Sequence, residues 1–327
     1  MEYNRVLIAN LPTPIQKLNN LSDKYGKGIY LKRDDFTGVE VSGNKVRKLE
    51  FVVGDALEKG CDTIITAGAI QSNHCRATAA ACAKSGLNCE LVIKGEKPDE
   101  FEGNIFLSKM LGANINYISK NYPVDEKMKE IKEKLSTKGK KGYIIPIGAS
   151  NAVGSLGYME DMKEIIKQEK EMGLKFDAIV VTVGSGGTYA GLWYANKTIK
   201  EPKDIIGFSV SESSEEFTKD IKDILINMYK RDEIKKEIDE ETIIINDNYI
   251  GDGYALSRLE EIEFICDIAQ SEGVIFDPVY TGKAFRGMIS EIESGKFDKY
   301  KNVLFIHTGG LLGWTKEQRN MAIKALV

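Results

Sequence analysis

A chain of 327 residues, 42% hydrophobic and 29% charged, is long enough for two packed units and has the composition of an ordinary water-soluble globular protein. Its net charge of -4 is small and dispersed, and no basic face with interleaved aromatics is present, which argues against a nucleic-acid partner. Five cysteines without a CxxC pair and only two histidines suit neither a zinc site nor a disulfide framework, so no metal is expected, and the thiols read as reduced and the protein as cytoplasmic.

The opening "MEYNRVLIANLPTPIQKL" lacks a basic region followed by a long apolar core, so no secretion signal is read there, and no later run approaches a membrane span. The first predicted strand is "GIYLKRD" (28–34), followed by "VSGNKVRKLEF" (41–51). There the small-residue loop Ser42-Gly43-Asn44 runs into Lys45, and Val46, Leu49, Phe51 and Val52 carry the apolar rhythm of a helix over 45–59. A lysine where a helix begins stands at the end that disfavours positive charge. Simple solvation beside Arg47 and Lys48 is the plain alternative.

Next come the strand "DTIITAG" (62–68), the loop "TAGAIQSNHCR" (66–76) and a helix over 73–86. Ser72 or Asn73 suits an N-cap. The same turn could grip a carboxylate through its backbone N–H groups, oriented by Gln71, Ser72, Asn73 and His74, and both readings stay open. Strands follow at 89–95, 115–119 and 143–148, with helices near 103–112 and 124–138; "KGKK" (138–141) reads as a solvated turn. The loop "ASNAVGSLG" (149–157) is a natural break before a helix over 152–172.

The strand "DAIVVTVG" (177–184) leads into "TVGSGGTYAGL" (182–192), where Gly184, Ser185, Gly186, Gly187 and Thr188 open a helix over 187–199. This is neither GxxxxGK[ST] nor a full GxGxxG, since Tyr189 occupies the sixth position, and it suits a compact phosphate cup better than a dinucleotide. Strands at 204–211 and 242–247 and helices near 214–230 and 256–272 come next. "VIFDPVYTGKAFRG" (274–287) then carries Tyr280 and Thr281 ahead of a helix over 282–294. The strand "NVLFIHTG" (302–309) ends at Thr308 and a glycine pair. Near-continuous apolar strands alternating with helices predict an α/β protein with two lobes of open, mostly parallel twisted sheets flanked by helices.

The strings "LPTPIQKL", "YLKRDD", "SGNKVRKLEF", "ITAGAIQSNHCRATAAA", "GSGGTYAGL", "DPVYTGKA" and "FIHTGG" occur in order from about 11 to 310. Together they resemble the fold-type II pyridoxal-phosphate (PLP) enzymes, tryptophan synthase β-like in fold. More narrowly they resemble the branch holding D-cysteine desulfhydrase and 1-aminocyclopropane-1-carboxylate (ACC) deaminase. The resemblance implies a large PLP-binding domain from 1–47 and 156–327 and a small domain at 48–155.

It also implies roles. Lys45 is the lysine that condenses with the cofactor aldehyde, with Lys48 as its rival, and neighbouring Arg47 and Lys48 would help keep its amine neutral. Gly184 to Thr188 form the phosphate cup. Asn73 bonds the phenolic oxygen of the cofactor, Ser72 stands beside the substrate α-carbon, and the 72–74 backbone holds the substrate carboxylate. Tyr280 lies against the pyridine ring and Tyr254 is a second active-site tyrosine.

Where the deaminase has a glutamate after the tyrosine, this chain has Thr281, and Thr308 is also desulfhydrase-like. The expected reaction is therefore α,β-elimination of D-cysteine or a related β-substituted amino acid; ACC deamination, or elimination on another D- or L-amino acid, is the alternative. A homodimer is expected. Three stretches depart from the family pattern: Ala255-Leu256-Ser257-Arg258, "LLGWTKEQ" (311–318) and Phe285-Arg286. A PLP-binding protein without catalysis, and a nucleotide binder using 182–192, are the competing functions.

Overall fold

The structure, a computed structural model, describes residues 3–327. The chain runs through β1 (Ile15–Lys17), α1 (Asn19–Tyr25), β2 (Gly28–Lys32), α2 (Asn44–Glu58), β3 (Thr63–Gly68) and α3 (Asn73–Ser85). It continues with β4 (Asn88–Lys94), α4 (Gly103–Met110), β5 (Asn114–Ile118), α5 (Val124–Ser136), β6 (Gly142–Ile144) and α6 (Leu156–Met172). Next are β7 (Ala178–Val183), α7 (Gly187–Asn196), β8 (Asp204–Ser209), α8 (Ser214–Arg231), β9 (Ile244–Asn246) and α9 (Leu259–Glu272). The last elements are α10 (Thr281–Glu293), β10 (Asn302–Ile306) and α11 (Lys316–Ala325).

One sheet has six strands in the order β1-β2-β10-β7-β8-β9, parallel except for β1, which pairs antiparallel to β2. The other has four parallel strands in the order β5-β4-β3-β6. The apolar runs explain this layering. Along β7, Ile179, Val181 and Val183 face a core built with α6, α7 and α8. The alternate residues Ala178 and Val180 face a second core built with α1, α9 and α10. A strand buried on both faces has no polar side to offer, so it needs helices on each. β3 divides likewise: Ile64 packs with α2 and α3, and Ile65 and Ala67 with α5.

Three elements escape the sequence pattern: β1, α1 and α11. The first two are only 3 and 7 residues long, too short to display a period. The strand expected over 143–148 stops at Ile144, before Pro146, which has no N–H to give the ladder. The helix expected from 152 starts at Leu156, after a turn in which Asn151 Oδ1 accepts from Gly154 N at 2.8 Å. Among the described residues, no helix is long and apolar enough to cross a membrane.

A buried ionic cluster anchors the first turn of α2. The Arg47 guanidinium donates to Asp34 (2.9 and 2.8 Å) and to Glu164 (3.1 and 3.0 Å). Tyr158 also donates to Asp34, and Lys32 donates to Glu164 and to Thr13 O. Asp161 Oδ1 lies 3.0 Å from Arg47 but takes no hydrogen bond, and burial lifts its pKa to about 7. This ties α2 to β2 and α6 and locks Arg47, two residues beyond Lys45, from below.

Candidate active site

The carboxyl ends of β3, β7 and β10 open onto one cavity of ≈270 Å³ between the two sheets. This is where α/β sheets bind ligands, because strand-to-helix turns aim unpaired N–H groups at one spot. Lys45 lines it from the first turn of α2. The approach to that turn requires Gly43: it has φ +90°, and a Cβ there would lie 2.6 Å from Thr308 O. Asn44 N donates to that same carbonyl at 3.1 Å, which binds the start of α2 to the end of β10.

Among the described residues Lys45 Nζ has one partner, Asn44 Oδ1 at 3.0 Å. Burial pulls its pKa down to about 8, opposed by the charge of Asp277. The cause differs from the one expected. Arg47 is turned into the ionic cluster, and neither it nor Lys48 is among the groups that move Lys45. Lys48 is instead itself held well below the ordinary lysine range, by burial and then by Lys45. Its Nζ donates to Gly148 O (3.2 Å) and Ser150 Oγ (3.1 Å) and has no acidic partner among the described residues.

The loop 184–188 lines the cavity through Gly184, Ser185, Gly186 and Thr188. The backbone N–H groups of Ser185, Gly186, Thr188 and Tyr189 have no acceptor among the described residues. Gly186 caps α7 at φ +73°, a conformation that a Cβ would strain. Gly187 does not reach the wall. A Cβ there would meet Ser150 Oγ at 2.7 Å and Lys48 Nζ at 2.9 Å, so its hydrogen atoms let Lys48 and the 147–150 turn close behind the cup. Ser150 Oγ adds a hydrogen bond of 2.8 Å to Ser185 Oγ.

Opposite the cup stands the start of α3. Ser72 is both cap and wall: its Oγ accepts from Cys75 N at 3.1 Å, and its own hydrogen stays available. The N–H groups of Asn73 and His74 have no acceptor among the described residues. Asn73 Oδ1 accepts from Asn104 Nδ2 at 2.8 Å, which fixes the orientation of its amide. Thr66 donates to Ile145 O (2.9 Å), so its contact with His74 Nε2 (2.9 Å) makes that nitrogen the donor. Nδ1 is then an acceptor, buried and unpartnered, and Thr182 Oγ1 is a second such atom in the wall. Burial, then Lys45 and Lys48, keeps His74 well below the usual histidine range.

Gln71 departs from expectation. Its amide is spent on Asn104 N (2.9 Å) and Glu102 O (3.1 Å), and it does not line the cavity. Tyr280 and Tyr254 do line it, edge to face with ring centroids 5.8 Å apart and their hydroxyls hydrogen-bonded. Burial raises both phenol pKa values, so both stay protonated at neutral pH. Thr308 is in the wall, but Thr281 is fully buried outside it. The Thr281 hydroxyl donates to Asp277 Oδ1 at 2.6 Å and accepts from Asp277 N at 2.9 Å. That carboxylate also takes N–H bonds from Val279, Tyr280 and Thr281.

Sequence reasoning missed Asn44, whose Nδ2 reaches Thr188 Oγ1 at 3.0 Å and joins the lysine to the cup. It also missed Ser150, and gave Lys48 only a rival's part. Adjacency to Lys45 was the one available signal for Asn44; nothing local marked Ser150, 102 residues from Lys48. The wall therefore offers a buried amine of low basicity, a nest of N–H groups backed by the Lys48 side chain, and unsatisfied polar atoms between them. That set fits an aldehyde-bearing phosphate ester such as pyridoxal phosphate.

Comparison with known proteins agrees. The family pattern described as "Pyridoxal-phosphate dependent enzyme" matches residues 6–309. The chain is 42% identical to the mitochondrial bifunctional D-cysteine desulfhydrase/ACC deaminase of Arabidopsis thaliana, over 96% of this chain and 80% of that protein. It is 36% identical to the D-cysteine desulfhydrase of Serratia proteamaculans, over 94% of both chains. A solved structure of an ACC deaminase homologue superposes with a TM-score of 0.89 at 37% identity, covering 99% of this chain and 97% of that one. With glycine cup, buried lysine and relatives aligned along nearly its whole length, this chain belongs to the pyridoxal-phosphate dependent enzymes.

Proposed function

We propose that the protein eliminates the β-substituent of D-cysteine, or of a related amino acid, to give pyruvate, sulfide and ammonia. The observation that carries this reading is that no carboxylate lines the cavity among the described residues; the acids at its mouth are two phenols. Bound pyridoxal phosphate supplies an electron sink for the pair left at the substrate α-carbon once its proton is gone. Lys45, Asn73, Thr308, Thr182 and the 184–188 loop, backed by Lys48, would hold it.

The free N–H groups of Asn73 and His74 would seat the substrate carboxylate at the N-terminus of α3. Lys45 Nζ or Ser72 Oγ takes the α-proton; a base of pKa about 8 is well matched to neutral pH. Tyr280, hydrogen-bonded to Tyr254, donates a proton to the departing sulfur. Thr281 does not reach the cavity wall and its hydroxyl hydrogen is committed to Asp277, so it presents no acid to the cavity. That leaves no side-chain acid of the strength a glutamate would offer, which suits expulsion of a good leaving group better than opening a cyclopropane ring.

The two-lobed division at 47/48 and 155/156, a homodimer and a cytoplasmic location go with this reading. ACC deamination is the second reading, favoured by the bifunctional Arabidopsis relative. Sulfide and keto-acid assays on D-cysteine, L-cysteine and ACC decide between them. Equimolar sulfide and pyruvate from D-cysteine is the expected result; 2-oxobutyrate from ACC with no sulfide from either cysteine would overturn the proposal.

The Lys45 amine is charged below its pKa, so its reactive fraction falls as pH falls. Capture of pyridoxal phosphate by cofactor-stripped protein should therefore quicken about tenfold per pH unit up to about pH 8 and then level off. An ordinary lysine would keep gaining to beyond pH 10. Stopped-flow absorbance across pH 6–10 reads the difference.

A further inference from the structure

Lys283 lies on α10, two residues beyond Thr281, and is 2% exposed. Its Nζ donates to three backbone carbonyls, Ile250 O, Gly253 O and Leu256 O, each at 2.8 Å. An ammonium has three donors, and here all three are used. No carboxylate lies within ion-pair range of it among the described residues; the acids that act on it through space, Glu261 and Asp252, both lie against Arg258.

The three acceptors belong to one loop between β9 and α9. That loop is unusual: Gly251, Gly253 and Ala255 all have positive φ (71°, 125° and 59°), and Ala255 does so with a Cβ. A backbone held this way needs something to hold it. Apart from Lys283, the loop is tied by a 3.3 Å bond from Leu256 N to Gly253 O, and at its margins Asp252 lies 3.9 Å from Arg258 and Gln318 Nε2 donates to Ser257 Oγ at 3.0 Å. At its apex stands Tyr254, whose hydroxyl meets that of Tyr280 in the cavity wall.

A positive charge ligated by neutral carbonyl oxygens alone is the arrangement by which proteins hold a potassium ion, the carbonyls replacing its water shell. We propose that the Lys283 ammonium is a tethered monovalent cation that organises loop 250–256 and so positions Tyr254 at the cavity mouth. Lys283 is thus a positioning residue acting through Tyr254. The class of ligand that can replace it is a monovalent cation near ammonium in size, K⁺ or NH₄⁺. The consequence for turnover rests on the role proposed above for Tyr254; the cation site does not.

The test is the Lys283→Ala holoenzyme in a buffer whose only cation is tetramethylammonium. Its kcat for sulfide release should fall at least about tenfold. K⁺ or NH₄⁺, but not Li⁺ or choline, should restore most of it. Either cation should also raise the melting temperature of the variant and not that of the wild type, since a ligand stabilises only a fold with a site for it. In a Tyr254→Phe background, Lys283→Ala should cost less than about twofold further, as coupled positions do.

Wild-type kcat in Lys283→Ala without a small cation would overturn the proposal, as would equal melting responses of variant and wild type. A variant that folds only with K⁺ or NH₄⁺ supports it. One that folds with neither overturns it, because the fold would then need the lysine stem rather than its charge. A wild-type enzyme releasing no sulfide would sink the elimination reading while leaving the melting comparison intact.

Discussion

Lys45→Ala is expected to lower turnover by on the order of 10³- to 10⁶-fold, the range seen when a covalent nucleophile is removed. The physical ground is that Lys45, in the cavity wall, has a neutral amide oxygen as its partner among the described residues and a pKa that burial has drawn to about 8. Lys48 is a poor substitute. Its Nζ is committed to Gly148 O and Ser150 Oγ, behind the glycine cup rather than facing across it. Borohydride treatment of wild-type protein should therefore fix a pyridoxyl group on the peptide containing residue 45, and the variant should carry none. Stability should be unchanged or slightly raised, because the mutation deletes a desolvated amine and a single hydrogen bond. An active Lys45→Ala enzyme, or a label on Lys48, would refute the assignment.

Arg47→Met should cost about 3–5 kcal/mol of stability, the range for removing one partner from a buried ionic group. Arg47 is 1% exposed and serves Asp34, Asp161 and Glu164 together; without it Lys32 alone faces three carboxylates. The loss has a definite pH sign. Unpaired buried carboxylates have folded-state pKa values above their unfolded ones, so the penalty grows as pH rises through those values and relaxes as acid protonates them. Asp161, lifted to about 7 even beside Arg47, is relieved first, and Asp34 and Glu164 after it. Urea midpoints of wild type and variant should accordingly lie far apart at pH 7 and draw together toward pH 5. A constant difference across that range would mean that packing of the arginine stem, not charge, carries the effect.

Much of this protein was legible before any coordinates. Near-continuously apolar runs at 62–68 and 177–184 mark strands covered on both faces, and β3 and β7 are such strands. The glycine loops at 184–187 and 309–310 mark turns where backbone can approach a ligand, and both border the cavity. Of the segments that escaped, β1 and α1 are too short for a period to emerge.

Side-chain destinations were another matter. Gln71, Ser72 and Asn73 are consecutive, yet two face the cavity and Gln71 turns to Asn104. Arg47 and Lys48 look like equivalent neighbours of Lys45. One is spent on a carboxylate cluster with α6, the other stands behind the 184–188 glycine loop, and neither was identifiable from the segment itself. Lys283 reads as one more charge on α10 until the 250–256 loop is seen folded over it. The amino-acid order by itself determined the strands, the helices and the glycine turns, because backbone conformation and apolar periodicity are properties of adjacent residues. Only the tertiary structure decided which cations are paired, which are not, and which N–H groups are left free, because those depend on the desolvation and partners that distant segments bring to the same place.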